Sequence, residues 1–323
     1  MGRYTDAEPL YARSLEISEA QLGPDHPSTA TSLNNLALLY DSMGRYTDAE
    51  PLYARSLEIS EAQLGPDHPS TATSLNNLAG LYDSMGRYTD AEPLYARSLE
   101  ISEAQLGPDH PSTATSLNNL ALLYDSMGRY TDAEPLYARS LEISEAQLGP
   151  DHPSTATSLN NLALLYRSMG RYTDAEPLYA RSLEISEAQL GPDHPSTATS
   201  LNNLAGLYRS MGRYTDAEPL YARSLEISEA QLGPDHPSTA ISLHNFAYFY
   251  GQMERYSEAE KMYVRALIIA QNVLGQDHPH TTIFIKNFVS FLQKIVETNQ
   301  TQQLSEHPLT QTILKNLLSN SSE

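Results

Sequence analysis

The chain copies itself every 42 residues, and this constrains its fold more than any other feature. Residues 1–42 recur at Met43, Met85, Met127 and Met169 with 40 of 42 positions unchanged, and more loosely at Met211 and Met253. A fixed period of this size is the mark of a solenoid, in which each unit is a supersecondary element that buries its apolar face only against its neighbours. Such a chain offers an extended surface of equivalent positions rather than a single catalytic pocket.

One unit reads as two helices. Gly23, Pro24 and Pro27 punctuate the chain before Ser28, and Gly44 breaks it after Met43. Between them Ala30, Leu33, Leu36, Ala37, Tyr40 and Met43 recur at helical spacing, which predicts helix A over roughly Ser28–Met43. Helix B is expected to open with Thr47-Asp48-Ala49-Glu50, a capping-box pattern, with Pro51 near the first turn as a staple against Tyr46. Its buried stripe would be Ala49, Leu52, Tyr53, Ser56, Leu57 and Ser60, closed by Leu64 and a C-capping Gly65.

The spacing of Leu33, Leu36, Ala37, Tyr40, Gly44, Tyr46, Ala49 and Tyr53 resembles the tetratricopeptide signature, with Leu in place of the usual Trp. The longer period and the segments LNNLALLY, GRYTDAEPLYARSLEI and LGPDHP are similar to the kinesin light chain class of that family. The resemblance spans about residues 1–297 and implies an all-α fold, a right-handed α-solenoid superhelix of antiparallel helix pairs. It also implies that helix A lines a concave groove in which extended peptides bind. The long heptad coiled coil through which kinesin light chains join their motor has no counterpart in this sequence.

Charge and composition narrow the partner class. The 40 acidic and 20 basic side chains give a formal charge of −20, the wrong sign for nucleic acid or an anionic membrane surface. Most carboxylates are expected on a solvated outer face. The absence of cysteine removes disulfides, thiolate metal sites and thiol nucleophiles. No apolar run approaches ~18 residues and no signal-peptide pattern opens the chain, so a soluble, cytoplasmic protein is expected.

Projected at 100° per residue, helix A keeps Thr31, Asn34, Asn35, Leu38, Asp41 and Ser42 off its apolar arc. Among the first five copies only two positions vary, and both lie on this polar face. One reads Leu38, Gly80, Leu122, Leu164, Gly206; the other reads Asp41, Asp83, Asp125, Arg167, Arg209. A regular array would then carry carboxylates toward one end and guanidinium groups toward the other, orienting a ligand of opposite polarity.

The Asn pairs are the second candidate, since carboxamides both donate and accept and suit a peptide backbone. The series Asn34, Asn76, Asn118, Asn160, Asn202, replaced later by His244 and Lys286, reads as ligand-facing. Asn35, Asn77, Asn119, Asn161, Asn203, Asn245 and Asn287 never change, which suggests a hydrogen bond between units. A carboxylate clamp of the kind found in the family needs Lys or Arg beside these residues; Thr31, Leu38 and Ser42 stand there instead.

The Asp-His-Pro turns at His26, His68, His110, His152, His194, His236 and His278 are not expected to hold metal. Equivalent residues of stacked helices lie about 8–10 Å or more apart, too far to share one ion. No nucleophile elbow, P-loop or Rossmann glycine pattern is present, so no enzymatic activity and no cofactor are expected.

The ends differ from the middle. The start at Met1-Gly2-Arg3 matches the middle of a unit, so helix B at Thr5–Leu22 lacks a preceding helix A and exposes apolar surface. That fits a fragment boundary, self-association through the N-terminal helix, or a recognition region within a larger regulator. From Ile241 the copies gain aromatic residues, Phe246, Tyr248, Phe249, Phe284, Phe288 and Phe291. Residues 298–323 read as a polar linker and a short helix over Pro308–Leu318, either capping the array or solvated. The leading functional expectation is a non-enzymatic scaffold that binds an extended peptide or a partner helix in the groove.

Overall fold

The computed structural model describes residues 4–320, and Met1–Arg3, with the mid-unit start read from them, lie outside the described residues. Among those described, fifteen α-helices and no strand occur. They fall into two compact units, one running to Gln189 and the other beginning at Leu190. No helix is long and apolar enough to cross a membrane.

The first unit holds α1 (Tyr4–Leu22), α2 (Pro27–Ser42), α3 (Tyr46–Leu64), α4 (Pro69–Ser84), α5 (Tyr88–Leu106), α6 (Pro111–Ser126), α7 (Tyr130–Leu148), α8 (Pro153–Ser168) and α9 (Tyr172–Leu190). Even-numbered helices are the predicted helices A and odd-numbered ones the helices B. Each packs on the next in sequence, and α2, α4, α6 and α8 also touch one another in turn. Gly44 and Gly65 make the reversals possible, with φ of 70° and 102° that other residues rarely adopt.

The predicted core is largely observed. Leu33, Leu36, Ala37, Ala49, Tyr53, Ser56 and Ser60 are buried, with Leu52 and Leu57 half-buried beside them. Leu39 and Ile59, which the periodicity did not single out, are buried too. The small serines serve close approach: Ser56 Oγ donates to the Ala30 carbonyl at 2.9 Å, and the Ser60 and Ser74 hydroxyls meet at 3.3 Å.

The capping box does not form. Helix α3 begins one residue earlier, at Tyr46, and its N-cap is Arg45, which makes no side-chain cap bond. The Glu50 carboxylate is taken by Arg87 of the following helix pair at 2.9 Å, while Arg45 Nε donates to Asp48 at 2.7 Å. Pro51 therefore falls in the second turn, on the exposed face, rather than in a staple.

The Glu50–Arg87 pair recurs as Glu8–Arg45, Glu92–Arg129 and Glu134–Arg171, and a second set joins Arg55 to Glu19, Arg97 to Glu61 and Arg139 to Glu103. These carboxylates tie one helix pair to the next instead of forming a purely solvated outer face. Each partly exposed pair contributes about 0–1 kcal/mol, whereas a fully buried Leu contributes about 1.5–3. The apolar stripe drives stacking, and the ion pairs fix register.

The second unit holds α10 (Pro195–Ser210), α11 (Tyr214–Leu232), α12 (Pro237–Gln252), α13 (Tyr256–Val273), α14 (Pro279–Glu297) and α15 (Pro308–Asn320). Phe246, Phe249, Phe284, Phe288 and Phe291 are buried in one aromatic core. The terminal helix is not solvated: Leu314 is buried, and Leu309, Ile313 and Leu317 pack on the same core.

Candidate functional site

Within each unit the predicted site residues lie on the even-numbered helices. Their first feature is a ladder of side-chain amides. Asn77 Nδ2 donates to Asn34 Oδ1 at 2.9 Å, Asn119 to Asn76 at 2.9 Å and Asn161 to Asn118 at 2.8 Å. In the second unit Asn245 donates to Asn202 at 3.2 Å, and Asn287 reaches His244 Nε2 at 3.0 Å. Asn34, Asn76, Asn118 and Asn202, read from sequence as facing ligand, thus give their carbonyl oxygens to the next helix A, while the NH2 groups of Asn118 and Asn160 make long contacts of 3.5 Å to Asn119 and Asn161. A neutral bond of this kind is worth about 0.5–1.5 kcal/mol, so the ladder orients these amides more than it stabilises the stack.

The second feature lies one turn further along each helix, where the copies differ. In the second copy the residue of the Leu38 series stands against a buried tyrosine of the following helix B. An added Cβ at Gly80 would stand 3.3 Å from the Tyr95 hydroxyl. In the copies that carry Leu122 and Leu164, the equivalent hydroxyls of Tyr137 and Tyr179 are sealed in with no hydrogen-bond partner. Tyr95, under glycine, is 4% exposed, against 1% for Tyr53 and Tyr137 and 0% for Tyr179. Gly206 is itself buried, and Tyr248, its counterpart in α12, is exposed.

The charged series follows on the next turn. Asp41, Asp83 and Asp125 are half-buried, and burial pushes their carboxyls above the usual range; at Asp125 the charge of Arg167 pulls in the opposite direction. Burial, reinforced by these carboxylates, keeps the Tyr53, Tyr95 and Tyr137 hydroxyls protonated far above the ordinary tyrosine range. In the second unit Arg209 lies 4.6 Å over the Tyr248 ring and reaches Gln252 at 3.4 Å. The first unit therefore presents three carboxylates and then the Arg167 guanidinium along one face.

The histidine turns have a backbone task. In α2, α4, α6, α8, α10, α12 and α14 the residue before the first proline is the N-cap, and its Nδ1 accepts from the backbone N–H two residues on at 3.1 Å. Imidazole here satisfies a donor that Ser or Asp usually serves. Shallow recesses of about 250–430 Å3 open beside the turns before α2, α4, α6 and α10, the first of them lined by Thr31, Asn34, Ser56 and Ser74.

Comparison with known proteins agrees with this geometry. A sequence model of the tetratricopeptide repeat matches residues 1–61, 42–104, 84–146, 124–187, 154–218 and 196–272. The crystal structure of BtubC (BKLC) from P. vanneervenii is similar at 26% identity and a TM-score of 0.59, over 71% of this chain and 92% of that one. Two crystal structures of a Podosopora anserina protein of kinesin light chain type, with nearly identical TPR-like repeats, are 28% identical. They cover 64% of this chain and 97% of theirs, at TM-scores of 0.53 and 0.52. No curated protein matches the chain.

Proposed function

From the premise that the chain belongs to the tetratricopeptide repeat family, whose repeats generally serve as non-catalytic scaffolds for protein interaction, we propose that it is a non-enzymatic, cytoplasmic scaffold. Its ligand is an extended peptide or a partner helix lying across the helix A face. One observation carries this reading. Among near-identical copies, the core and the inter-unit ties stay fixed while the two positions that change, the Leu38 and Asp41 series, stand on that face. Variation confined to two neighbouring positions of helix A over an unchanging scaffold is the pattern of a face tuned to a ligand.

Recognition is noncovalent. The NH2 groups of Asn34, Asn76, Asn118 and Asn160 would donate to main-chain carbonyls of the ligand, and Leu38, Leu122 and Leu164 would supply apolar contact between them. Asp41, Asp83 and Asp125, followed by Arg167, would set direction: the basic end of the ligand lies toward α2 and its acidic end toward α8. In the second unit Arg209, with Gly206, Asn202 and the Asn203 and Asn245 amides, offers the same kind of surface. With one exposed pair worth about 0–1 kcal/mol, Arg167→Asp should weaken binding of acid-tailed peptides up to about 5-fold at low salt, with the effect fading as salt rises. Unchanged affinity at low salt, measured by fluorescence anisotropy with a labelled peptide selected on the protein, would remove the directional element.

A second reading rests on α1, where Leu10, Tyr11, Ile17 and Leu22 are exposed, although Tyr53 and Ile59, the counterparts of Tyr11 and Ile17, are buried and Leu52 and Leu64, those of Leu10 and Leu22, are half-buried. In that reading the array associates with a second copy through α1 and the helix A face is incidental.

A further inference from the structure

The Leu-to-Gly change at residue 80 does more than shorten a side chain. It uncovers a polar group that the otherwise identical copies with Leu122 and Leu164 keep closed. The Tyr95 hydroxyl lies 3.3 Å from where a Cβ of residue 80 would stand, the residue is only 4% exposed, and the hydroxyl has no hydrogen-bond partner. One helical turn beyond Gly80 stands the half-buried Asp83, and Asp41 occupies the same place on α2. Both carboxylates act electrostatically on Tyr95, and no cation does. The nearest arginines in the sequence are committed elsewhere: Arg45 to Glu8 and Asp48, Arg87 to Glu50 and Asp90.

We propose that the notch over Gly80 is a subsite for a lysyl side chain of the bound peptide, whose ammonium is held by the Tyr95 hydroxyl oxygen and the Asp83 carboxylate, with Asp41 on the preceding helix A adding to the negative potential there. Glycine leaves out the isobutyl group that Leu122 and Leu164 carry, and a slender methylene stem with a compact ammonium suits such a gap better than a planar guanidinium. At its floor the ligand meets a hydroxyl oxygen with both lone pairs free, and at its rim the Asp83 carboxylate, with Asp41 on the preceding helix A, both without counter-ions. An anionic side chain would face those carboxylates unpaired, and a neutral one would leave their charge unused. In the copies with Leu122 and Leu164 the equivalent tyrosine hydroxyl is sealed, so the array carries this subsite at a defined place in its first unit rather than in every repeat. The subsite rests on the peptide-binding reading above and names one side chain that the peptide must supply.

The array supplies its own control, because Gly80→Leu turns this helix pair into a copy of its neighbours and keeps the fold. A random peptide-display library is panned on the full chain and counter-selected on Gly80→Leu, and the enriched peptide is synthesised with Lys and with norleucine at its selected position. A charge-assisted contact set of this kind predicts a loss of about 10-fold or more for norleucine and for Gly80→Leu, and a partial loss for Tyr95→Phe. Enrichment of peptides without a basic residue, or equal affinity for Gly80→Leu, overturns the subsite while leaving peptide binding intact. Failure of any peptide to bind either protein overturns both the subsite and the peptide-binding reading.

Discussion

Replacing Glu260 with Ala should cost the second unit roughly 3–5 kcal/mol and release α15 from it. Glu260 occupies the position that Glu50, Glu92 and Glu218 hold in earlier helix pairs, where the carboxylate accepts from an arginine of the next pair. Here its neighbours in space are different. Glu260 is 1% exposed, and its two oxygens accept from the Ser305 backbone N–H, the Ser305 hydroxyl and the Thr310 hydroxyl, each at 2.7 Å. The terminal segment thus imitates the next repeat with neutral donors in place of a guanidinium. A buried carboxylate without a counter-ion is tolerated only because three charge-assisted bonds offset its desolvation. Ala removes the acceptor and strands three donors, while Gln keeps one oxygen and should lose about half as much. Urea denaturation together with amide exchange in α15 measures both effects. A loss below about 1 kcal/mol with α15 still protected would show that Leu314 and its apolar neighbours hold the cap without Glu260.

Acidification should destabilise the same unit through His244. This residue stands where other copies have Asn34 and its equivalents, stacked 4.2 Å from the Phe284 ring and edge-on to Tyr263. Burial, helped by the charge of nearby His280, holds its imidazole down to about 4 from an ordinary 6.5. Asn287 donates to Nε2, which places the remaining ring proton on Nδ1, where it has no partner. The sign follows from proton binding: below pH 6.5 the unfolded chain takes up a proton that the folded one refuses. Stability is therefore full above about pH 6.5 and declines as pH falls toward 4. Each tenfold difference in proton affinity is worth about 1.4 kcal/mol, so the loss amounts to roughly 3 kcal/mol at the lower limit. His280, also lowered by burial, adds in the same direction. His244→Asn, which restores the amide of the other copies opposite Asn287, should flatten most of this decline in denaturation midpoints taken between pH 7 and 4. An unchanged slope would place the acid sensitivity elsewhere.

The helix pairs, their breaks and most of the core were legible because a 42-residue period repeats each local signal and shows which positions the neighbours need. Leu33, Ala37, Ala49 and Tyr53 are buried as their spacing indicates. What sequence could not give was any partner about 37 residues away. Thr47 and Glu50 match a capping box locally, but Glu50 is held by Arg87. The unchanging second Asn hinted at a bond between units, yet nothing in the sequence revealed that its acceptor is the first Asn of the preceding unit. His26 was legible as a turn residue before proline, but its ring capping the helix was not. The two variable series were visible at once, whereas their meaning for the tyrosines needed three dimensions: only the fold shows that Gly80 stands against the Tyr95 hydroxyl and that the Tyr137 hydroxyl of the Leu122 copy is sealed.

Uptake of a ligand by the face bearing the Asn34, Leu38 and Asp41 series is tested by hydrogen–deuterium exchange of the full chain, with and without a peptide selected on it. Added protection is expected in α2, α4, α6 and α8, with little change in the intervening helices B. Protection centred on Leu10, Tyr11 and Ile17 of α1, growing with protein concentration and indifferent to peptide, would contradict groove binding and establish self-association in its place.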